Sequence, residues 1–376
     1  MTDLFSPITL RGVTIRNRIG VAPMCQYSCD PRGEAAGKAT DWHLAHLHAR
    51  GIGGAGLVVT EATAVVPEGR ITPQDLGLWS DDQIAGHARI AQAIASTGAV
   101  PGTQIAHAGR KASTNPPWQG GVAGDDAHGW TPAAPSAIAF PGLREPRAMS
   151  EEEITSTIAA FAATARRSVE AGYRFIEIHA AHGYLLHQFL SPLSNQRNDG
   201  WGGDFAGRSR IVLETVRAVR ATIPADMPLG IRFSHTDWLD GGWTTEETVE
   251  LSRQVKALGV DLVDVSSGAL LPAKIPLQPG YQVPGARAVR QGAEVAVAAV
   301  GLITEPKHAQ EILEAGDADM IFLARALLRD PYWPLHAAAA LGRAEALRAP
   351  AQYDRAWGSM GTKGVDFDTA APLPVL

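Results

Sequence analysis

Eight short apolar runs, alternating with longer stretches patterned as helices, constrain this chain more than any other feature. The runs read "RIGVAPM" (18–24), "GLVVTEAT" (56–63), "AVPGTQIAH" (99–107), "RFIEIHA" (174–180), "PLGIRFS" (228–234), "DLVDVSS" (261–267), "EVAVAAVG" (294–301) and "ADMIFLA" (318–324). Helical patterns lie between and after them, at 41–52, 83–97, 151–171, 208–222, 245–258, 284–292, 305–315 and 332–341. The third of these opens on Ser150 with Glu153 three residues on and closes at Gly172, a capping box and a C-terminal glycine. Strands separated by helices run parallel, because a tight hairpin cannot join them. Eight such units predict an α/β fold of the (β/α)8 TIM-barrel type rather than an open sheet. Before the first unit, "ITLRGVTIRN" alternates around Arg11-Gly12 and predicts a hairpin capping the barrel floor. Residues 108–150 are rich in Gly and Pro and predict an excursion on the catalytic face after the third strand. We expect one barrel domain over 1–358, with no helix from 350 onward and a weakly ordered tail at 359–376.

Composition narrows the function. The 376 residues carry a formal charge of -6, which gives no reason to expect nucleic acid or an anionic membrane. The longest apolar stretches fall short of the ~18 residues that suggest a membrane span. The N-terminus "MTDLFSPITL" has no basic segment followed by an apolar one, so no signal peptide is expected. The two cysteines, Cys25 and Cys29, are too few for a disulfide framework or an iron–sulfur cluster, and they suit a reducing cytoplasm. "GIGGAG" (51–56) matches a dinucleotide fingerprint, but it follows a helix and opens a strand, the wrong polarity for that motif.

In a barrel of this kind the chemistry sits at the C-terminal ends of the strands. The first end supplies Pro23, Met24, Cys25, Gln26 and Tyr27, and the second Ala62 and Thr63. The third supplies Gln104, His107, Arg110 and Lys111, and the fourth His179, His182 and Tyr184. Arg232 stands at the fifth, Ser266, Ser267 and Gly268 at the sixth, Gly301 at the seventh, and Ala324 and Arg325 at the eighth. Singly, each has an ordinary structural explanation. Together they suit a ligand with polar edges and an anionic end. The last two ends each lead towards a helix N-terminus, which with Arg325 makes a phosphate site in the usual barrel position. Gln104, Arg232, Cys25 and Ala62 suit a planar heterocycle. Flavin mononucleotide (FMN) fits that combination better than a sugar phosphate.

His179 and His182 raise the choice between a metal and an anion. Few carboxylates stand near the strand ends, Glu61 and Asp237 being the candidates, and the three-residue spacing is not that of a helical zinc motif. We expect no metal. Two imidazoles each presenting one N–H can instead stabilise negative charge on a single oxygen, with Tyr184 as proton donor. That arrangement fits hydride addition to an activated C=C bond.

The segments "NRIGVAPMCQY", "EATAV", "QIAHAGRKA", "EIHAAHGYLLHQFLSPLSNQRNDGWGG" and "QYDRAW" resemble the Old Yellow Enzyme family of FMN-dependent ene-reductases. More narrowly, they are similar to its thermophilic-like (class II) branch, which includes bacterial xenobiotic reductases. The resemblance covers roughly residues 4 to 358. It implies FMN on a (β/α)8 barrel, NADPH or NADH as hydride donor, and small electrophilic alkenes as substrates. It places Pro23, Met24, Cys25, Ala62, Gln104, Arg232, Gly301, Ala324 and Arg325 on FMN, and Gly268 joins them from the sixth strand end. Tyr27, His179, His182 and Tyr184 would meet the substrate, with Lys111 and Trp357 beside them. It further implies a homodimer, or a dimer-based oligomer, in which Arg355 completes the neighbouring active site. The chain departs from the pattern at Ala324, usually Gly, and at Gly207, often Asn; the loop 28–41 looks long. An iron–sulfur dienoyl-CoA reductase is set aside because no cysteine follows Cys29. A flavin-free, phosphate-binding aldolase or isomerase using Lys111 as a Schiff-base lysine is the main alternative, and a non-catalytic FMN carrier is another.

Overall fold

The computed structural model describes residues 2–124 and 128–357. Two strands, β1 (Ile8–Leu10) and β2 (Val13–Ile15), form the expected antiparallel hairpin, with Leu10 opposite Val13. The two-residue turn puts Arg11 at φ 48°, the left-handed conformation such tight turns demand. Eight strands then close into one parallel barrel: β3 (Ile19–Val21), β4 (Leu57–Ala64), β5 (Val100–Ala106), β8 (Phe175–Ala180), β9 (Leu229–Ser234), β10 (Leu262–Ser266), β11 (Ala296–Ala299) and β12 (Met320–Leu323). The ring closes where β12 pairs with β3, Ile321 opposite Ile19. Between β5 and β8, two short strands, β6 (Ala133–Ala134) and β7 (Arg147–Ala148), form a small parallel pair inside the excursion.

Helices α1 (Asp41–Ile52), α2 (Ile84–Ser96), α3 (Glu151–Glu170), α4 (Leu185–Leu190), α5 (Phe205–Thr222), α6 (Thr245–Ala257), α7 (Val283–Ala293), α8 (Pro306–Glu314), α9 (Arg325–Arg329), α10 (Trp333–Ala340) and α11 (Asp354–Trp357) join them. The α3 start is the capping box expected: Ser150 Oγ accepts the Glu153 N–H and Glu153 accepts the Ser150 N–H. The barrel interior is a compact apolar plug of Leu57, Val59, Phe175, Leu262, Met320 and Phe322, closed from below by Leu10, Val13 and Ile15 of the hairpin. A Cβ on Gly20 would stand 2.3 Å from the Phe322 ring, and one on Gly230 would stand 2.4 Å from the Phe175 ring. Those glycines leave room for the two largest interior side chains, whose burial contributes about 1.5–3 kcal/mol each. The main apolar core lies between the strands and the surrounding helices.

Several boundaries differ from the sequence reading. Strand β3 stops at Val21 rather than 24, and β11 covers only Ala296–Ala299 because Glu294 turns left-handed at the end of α7 (φ 52°). Helix α5 starts three residues earlier than expected, since Asp204 caps it by accepting the Gly207 N–H at 2.9 Å. Gly207 thus lies in a helical turn rather than a loose one, and a Cβ there would meet the Gly202 carbonyl at 2.0 Å. Helices α4 and α9 are additions. The expectation of no helix after 350 is corrected by the short turn Ala351–Tyr353 and by α11; the tail expected at 359–376 lies outside the described residues. "GIGGAG" is the αβ turn between α1 and β4.

Candidate active site

The end of β8 and the rigid turn after it carry three ring side chains, His179, His182 and Tyr184. The turn's backbone takes left-handed angles at His182 (φ 58°) and Gly183 (φ 69°). A Cβ on Gly183 would press on the Ala269 carbonyl at 2.4 Å, so only glycine fits there. The Gly183 N–H donates to His187 Nδ1 at 2.9 Å, and His187 Nε2 lies 2.9 Å from Asp237 Oδ1, both side chains fully buried. Burial alone would raise the Asp237 carboxyl. His187, the Ser191 hydroxyl and the Trp243 N–H outweigh it and hold the carboxyl below the usual range. The Leu185 N–H donates to the His107 carbonyl at 2.9 Å, tying the turn to the end of β5.

The ring centres of His179, in β8, and His182, on the turn, are 5.2 Å apart and nearly perpendicular. Tyr184 stands 5.0 Å from His179 on its other side. His179 Nδ1 accepts the Ala181 N–H at 3.3 Å, so its proton sits on Nε2. Burial, and then the positive charge of Arg232, push both histidines well below their ordinary pKa, so both rings are neutral N–H donors at pH 7. Burial likewise pushes the Tyr184 phenol well up, keeping it protonated. Tyr27, at φ 50° beyond β3, is raised for the same reason and packs edge-on against the exposed Trp118 of the excursion, ring centres 5.8 Å apart. Lys111 lies against the Tyr184 and Phe140 rings and donates to the His182 and Ala269 carbonyls at 2.9 and 3.0 Å. Burial and neighbouring Arg110 lower its pKa to about 8.

Below these rings lies a buried polar layer. Gln104 Nε2 donates to Glu177 Oε1 at 2.8 Å, and Arg232 Nε lies 2.8 Å from Asp264 Oδ2. Glu177 Oε2, Arg232 Nε and both Asp264 oxygens lack aligned hydrogen-bond partners. Burial pushes both carboxyls up. On the β3 side, Cys25 is a free thiol raised by burial and by the charges of Asp75 and Glu61. Pro23 and Met24 are half-buried beside it. A bulge in β4 between Thr60 and Ala62 sets Glu61 aside to accept the Gln26 N–H at 3.0 Å, leaving Ala62 at the rim. Past the ends of β10, β11 and β12, a cavity of about 220 Å³ is lined by Ser266, Gln282, Gly301, Thr304, Ala324, Arg325 and neighbouring residues. Gly301 (φ 120°) faces it, and Gly268 (φ 66°) turns the chain after β10. Helix α8 starts only at Pro306, so the strand-seven contribution is a loop rather than the expected helix end.

A family model described as the NADH:flavin oxidoreductase / NADH oxidase family matches residues 3–343. The chain belongs to this NADH:flavin oxidoreductase family. It is 48% identical to an NADPH dehydrogenase of Geobacillus sp. (strain WCH70) over 95% of this chain and 99% of the relative. It is 45% identical to the NADPH dehydrogenase of Bacillus subtilis (strain 168) over 94% of this chain and 99% of that one. Among solved structures, a complex of 2-naphthoyl-CoA reductase superposes with TM-score 0.82 at 26% identity, covering 91% of this chain and 53% of that one, so this chain spans about half its length. Morphinone reductase shares the fold, with TM-score 0.76 at 24% identity over 90% of both chains.

The resemblance to the Old Yellow Enzyme family is therefore borne out. The protein is an FMN-dependent NAD(P)H oxidoreductase of the ene-reductase kind, and the flavin-free aldolase or isomerase is dropped. The residues fit FMN: Glu177 Oε2 is buried beneath the rim without a partner, and the cavity by Gly301 and Arg325 suits a phosphate. Ala324 has φ -105° and ψ -94°, neither helical nor extended, a backbone conformation at the strand end that suits the glycine more usual there. As a flavin oxidoreductase the chain has no use for Lys111 as a Schiff-base residue; two carbonyls hold that amine in place. Arg110, read as a strand-end cation, is 1% exposed and donates to the Ile138 and Leu270 carbonyls, bracing the excursion. Arg355 and Trp357 do not join the rest of the site in their own chain: Arg355 is exposed, and Trp357 stacks on Tyr332 and His336. Sequence reasoning missed His187, Glu177, Asp264 and Gln282, whose partners come from other strands; Asp237 was weighed only as a metal ligand. No group of three or more metal-ligating side chains occurs among the described residues.

Proposed function

We propose that this enzyme reduces the C=C bond of small α,β-unsaturated carbonyl, nitro and related electrophilic compounds, with His179, His182 and Tyr184 as the reacting surface. The observation that carries this reading is the perpendicular histidine pair with Tyr184 on its flank, all three rings neutral. His179 and His182 donate to the carbonyl or nitro oxygen and stabilise the charge that develops there. Tyr184 protonates the α-carbon from the face opposite hydride delivery, giving net trans addition. Pro23, Met24, Cys25, Ala62, Gln104, Arg232, Gly268, Gly301, Ala324 and Arg325 hold FMN, which when bound relays hydride from NAD(P)H to the β-carbon. Tyr27 and Trp118 form the outer wall, and Lys111 fixes the turn beneath Tyr184. Titration with phenols tests the anion site: a phenolate should bind and give a long-wavelength charge-transfer band. His179→Ala or His182→Ala should cost about 2–4 kcal/mol of transition-state stabilisation. Unchanged phenol affinity and turnover in both variants would overturn the assignment.

The exposed segment 351–357 supports an oligomeric reading. Tyr353 and Trp357 are each 38% exposed, aromatic residue types enriched in interfaces, and Arg355 lies between them. Arg355 and Trp357 of one subunit complete the substrate pocket of the other in a homodimer or a dimer-based oligomer. Mixing His179→Ala subunits with Arg355→Ala subunits separates this from a role within one chain. Acting across the interface, each mixed dimer holds one doubly damaged and one intact site, and activity returns. Acting within its own chain, Arg355 leaves every site damaged and mixing restores nothing. The free thiols of Cys25 and Cys29 suit a cytoplasmic enzyme, and no helix among the described residues is long and apolar enough to cross a membrane.

A further inference from the structure

His182 is held on three sides. Its N–H donates to Ser234 Oγ at 2.9 Å, and its carbonyl accepts from Lys111 Nζ at 2.9 Å. Its left-handed backbone is costly unless the surroundings over-determine it. The third contact is to the ring: Nε2 lies 2.7 Å from Ser266 Oγ at the end of β10. Either atom can donate, and the direction decides what the other ring nitrogen offers the cleft.

The distances around Ser266 favour one direction. Its alternative acceptor is Gln282 Oε1, at 3.2 Å. That oxygen already receives the Ser267 hydroxyl at 2.7 Å. The amide cannot turn, because Gln282 Nε2 donates to the Val300 carbonyl at 3.0 Å. An amide oxygen can accept a second hydrogen bond, so Gln282 Oε1 stays open to Ser266, but His182 Nε2 is the nearer acceptor, at 2.7 Å against 3.2 Å, and we place the single Ser266 proton there. A neutral ring accepting at Nε2 carries its proton on Nδ1, and Nδ1 has no protein partner among the described residues. His179 is fixed in the reverse sense, so the pair offers its two protons from different ring positions.

We propose that Ser266 is a positioning residue: its hydroxyl, ordered by Ser267 and Gln282, donates to His182 Nε2 and thereby aims the His182 Nδ1–H at the substrate oxygen. This deepens the anion-site reading above and rests on it. Gln282 and Ser266 also line the phosphate-end cavity, so the same residues border cofactor and substrate.

Nitrogen NMR of the FMN-loaded protein, labelled at histidine with nitrogen-15, tests the proposal, since the shifts separate a protonated ring nitrogen from a bare one. The His182 signals are identified by their loss in His182→Ala. Wild type and Ser266→Thr, which keeps the hydroxyl, should read Nδ1–H. Ser266→Ala should move the proton to Nε2 and weaken phenol binding on the order of tenfold, lowering kcat more than it raises KM. An Nε2–H reading in wild type, or an unchanged spectrum and phenol affinity in Ser266→Ala, would overturn it. Should Ser266→Ala fail to fold, the wild-type and Ser266→Thr spectra still decide. If His182→Ala keeps full phenol affinity, the anion-site reading falls, while the nitrogen shifts still decide the tautomer.

Discussion

Cys25 shows how far a residue's surroundings change its chemistry. A free cysteine beside a cofactor invites a nucleophilic role, yet burial and the carboxylates of Asp75 and Glu61 push this thiol well above its ordinary pKa. It is a neutral, polarisable thiol rather than a thiolate, and on the proposed assignment it would lie beside the flavin. Iodoacetamide at pH 8 should label Cys25 more slowly than free cysteine, by on the order of tenfold or more. Equal rates would show that the thiol ionises normally. Cys25→Ser should keep FMN and shift its reduction potential; a change in stability alone would reduce Cys25 to a spacer. Residues of this kind were legible in the sequence because a strand end displays its polar side chains in a short span, as with His179, His182 and Tyr184. The side chains that orient them were not. Ser266 stands 84 residues from His182, and Asp237 stands on a different strand end from His187. Spacing along the chain carries no trace of a contact made across a barrel.

At the scale of elements, the regular part of the fold was legible and the short pieces were not. The α1 pattern at 41–52 matches its observed range because Thr40 at the N-cap and Gly53 at the C-cap bracket its 12 residues. Helix α4 has six residues and α9 has five, under two turns each, so neither shows a period. The β4 bulge was invisible as well, since an extra residue alters facing without altering composition. Helix α4 matters beyond its length. Through His187 and Asp237 it fixes the turn that carries His182 and Tyr184. Removing one member of that buried pair by His187→Ala should cost about 3–5 kcal/mol of stability, because Asp237 is left with an unmatched charge. The urea midpoint should fall, and phenol affinity with it as the Gly183 N–H loses its acceptor. A midpoint equal to wild type would mean that the pair contributes nothing to the turn.

The whole molecule carries an unusual load of buried imidazole. Burial lowers His46 to about 3 and His87, His107 and His235 to about 4, with His179 and His182 also well below their ordinary value. In each case the unfolded chain binds a proton that the folded one refuses. Their stability contribution is therefore present above the unfolded pKa near 6.5 and is lost as the pH falls below it. Asp75, raised to about 7, and Glu177 and Asp264 act in the opposite sense, since the folded state keeps their protons. Six histidines outweigh three carboxyls, so urea midpoints should fall between pH 7 and pH 5, before ordinary carboxylates titrate. A flat midpoint over that interval would contradict the histidine burial. The barrel's closure has a consequence of another kind. Its final seam joins Ile321 to Ile19, partners from opposite ends of the chain. During synthesis β3 must wait, with one edge unpaired, until nearly the whole polypeptide has left the ribosome. A chain cut short before Met320 would present two open edges, on β3 and on β11, and would be a substrate for chaperones or for self-association rather than a smaller working enzyme.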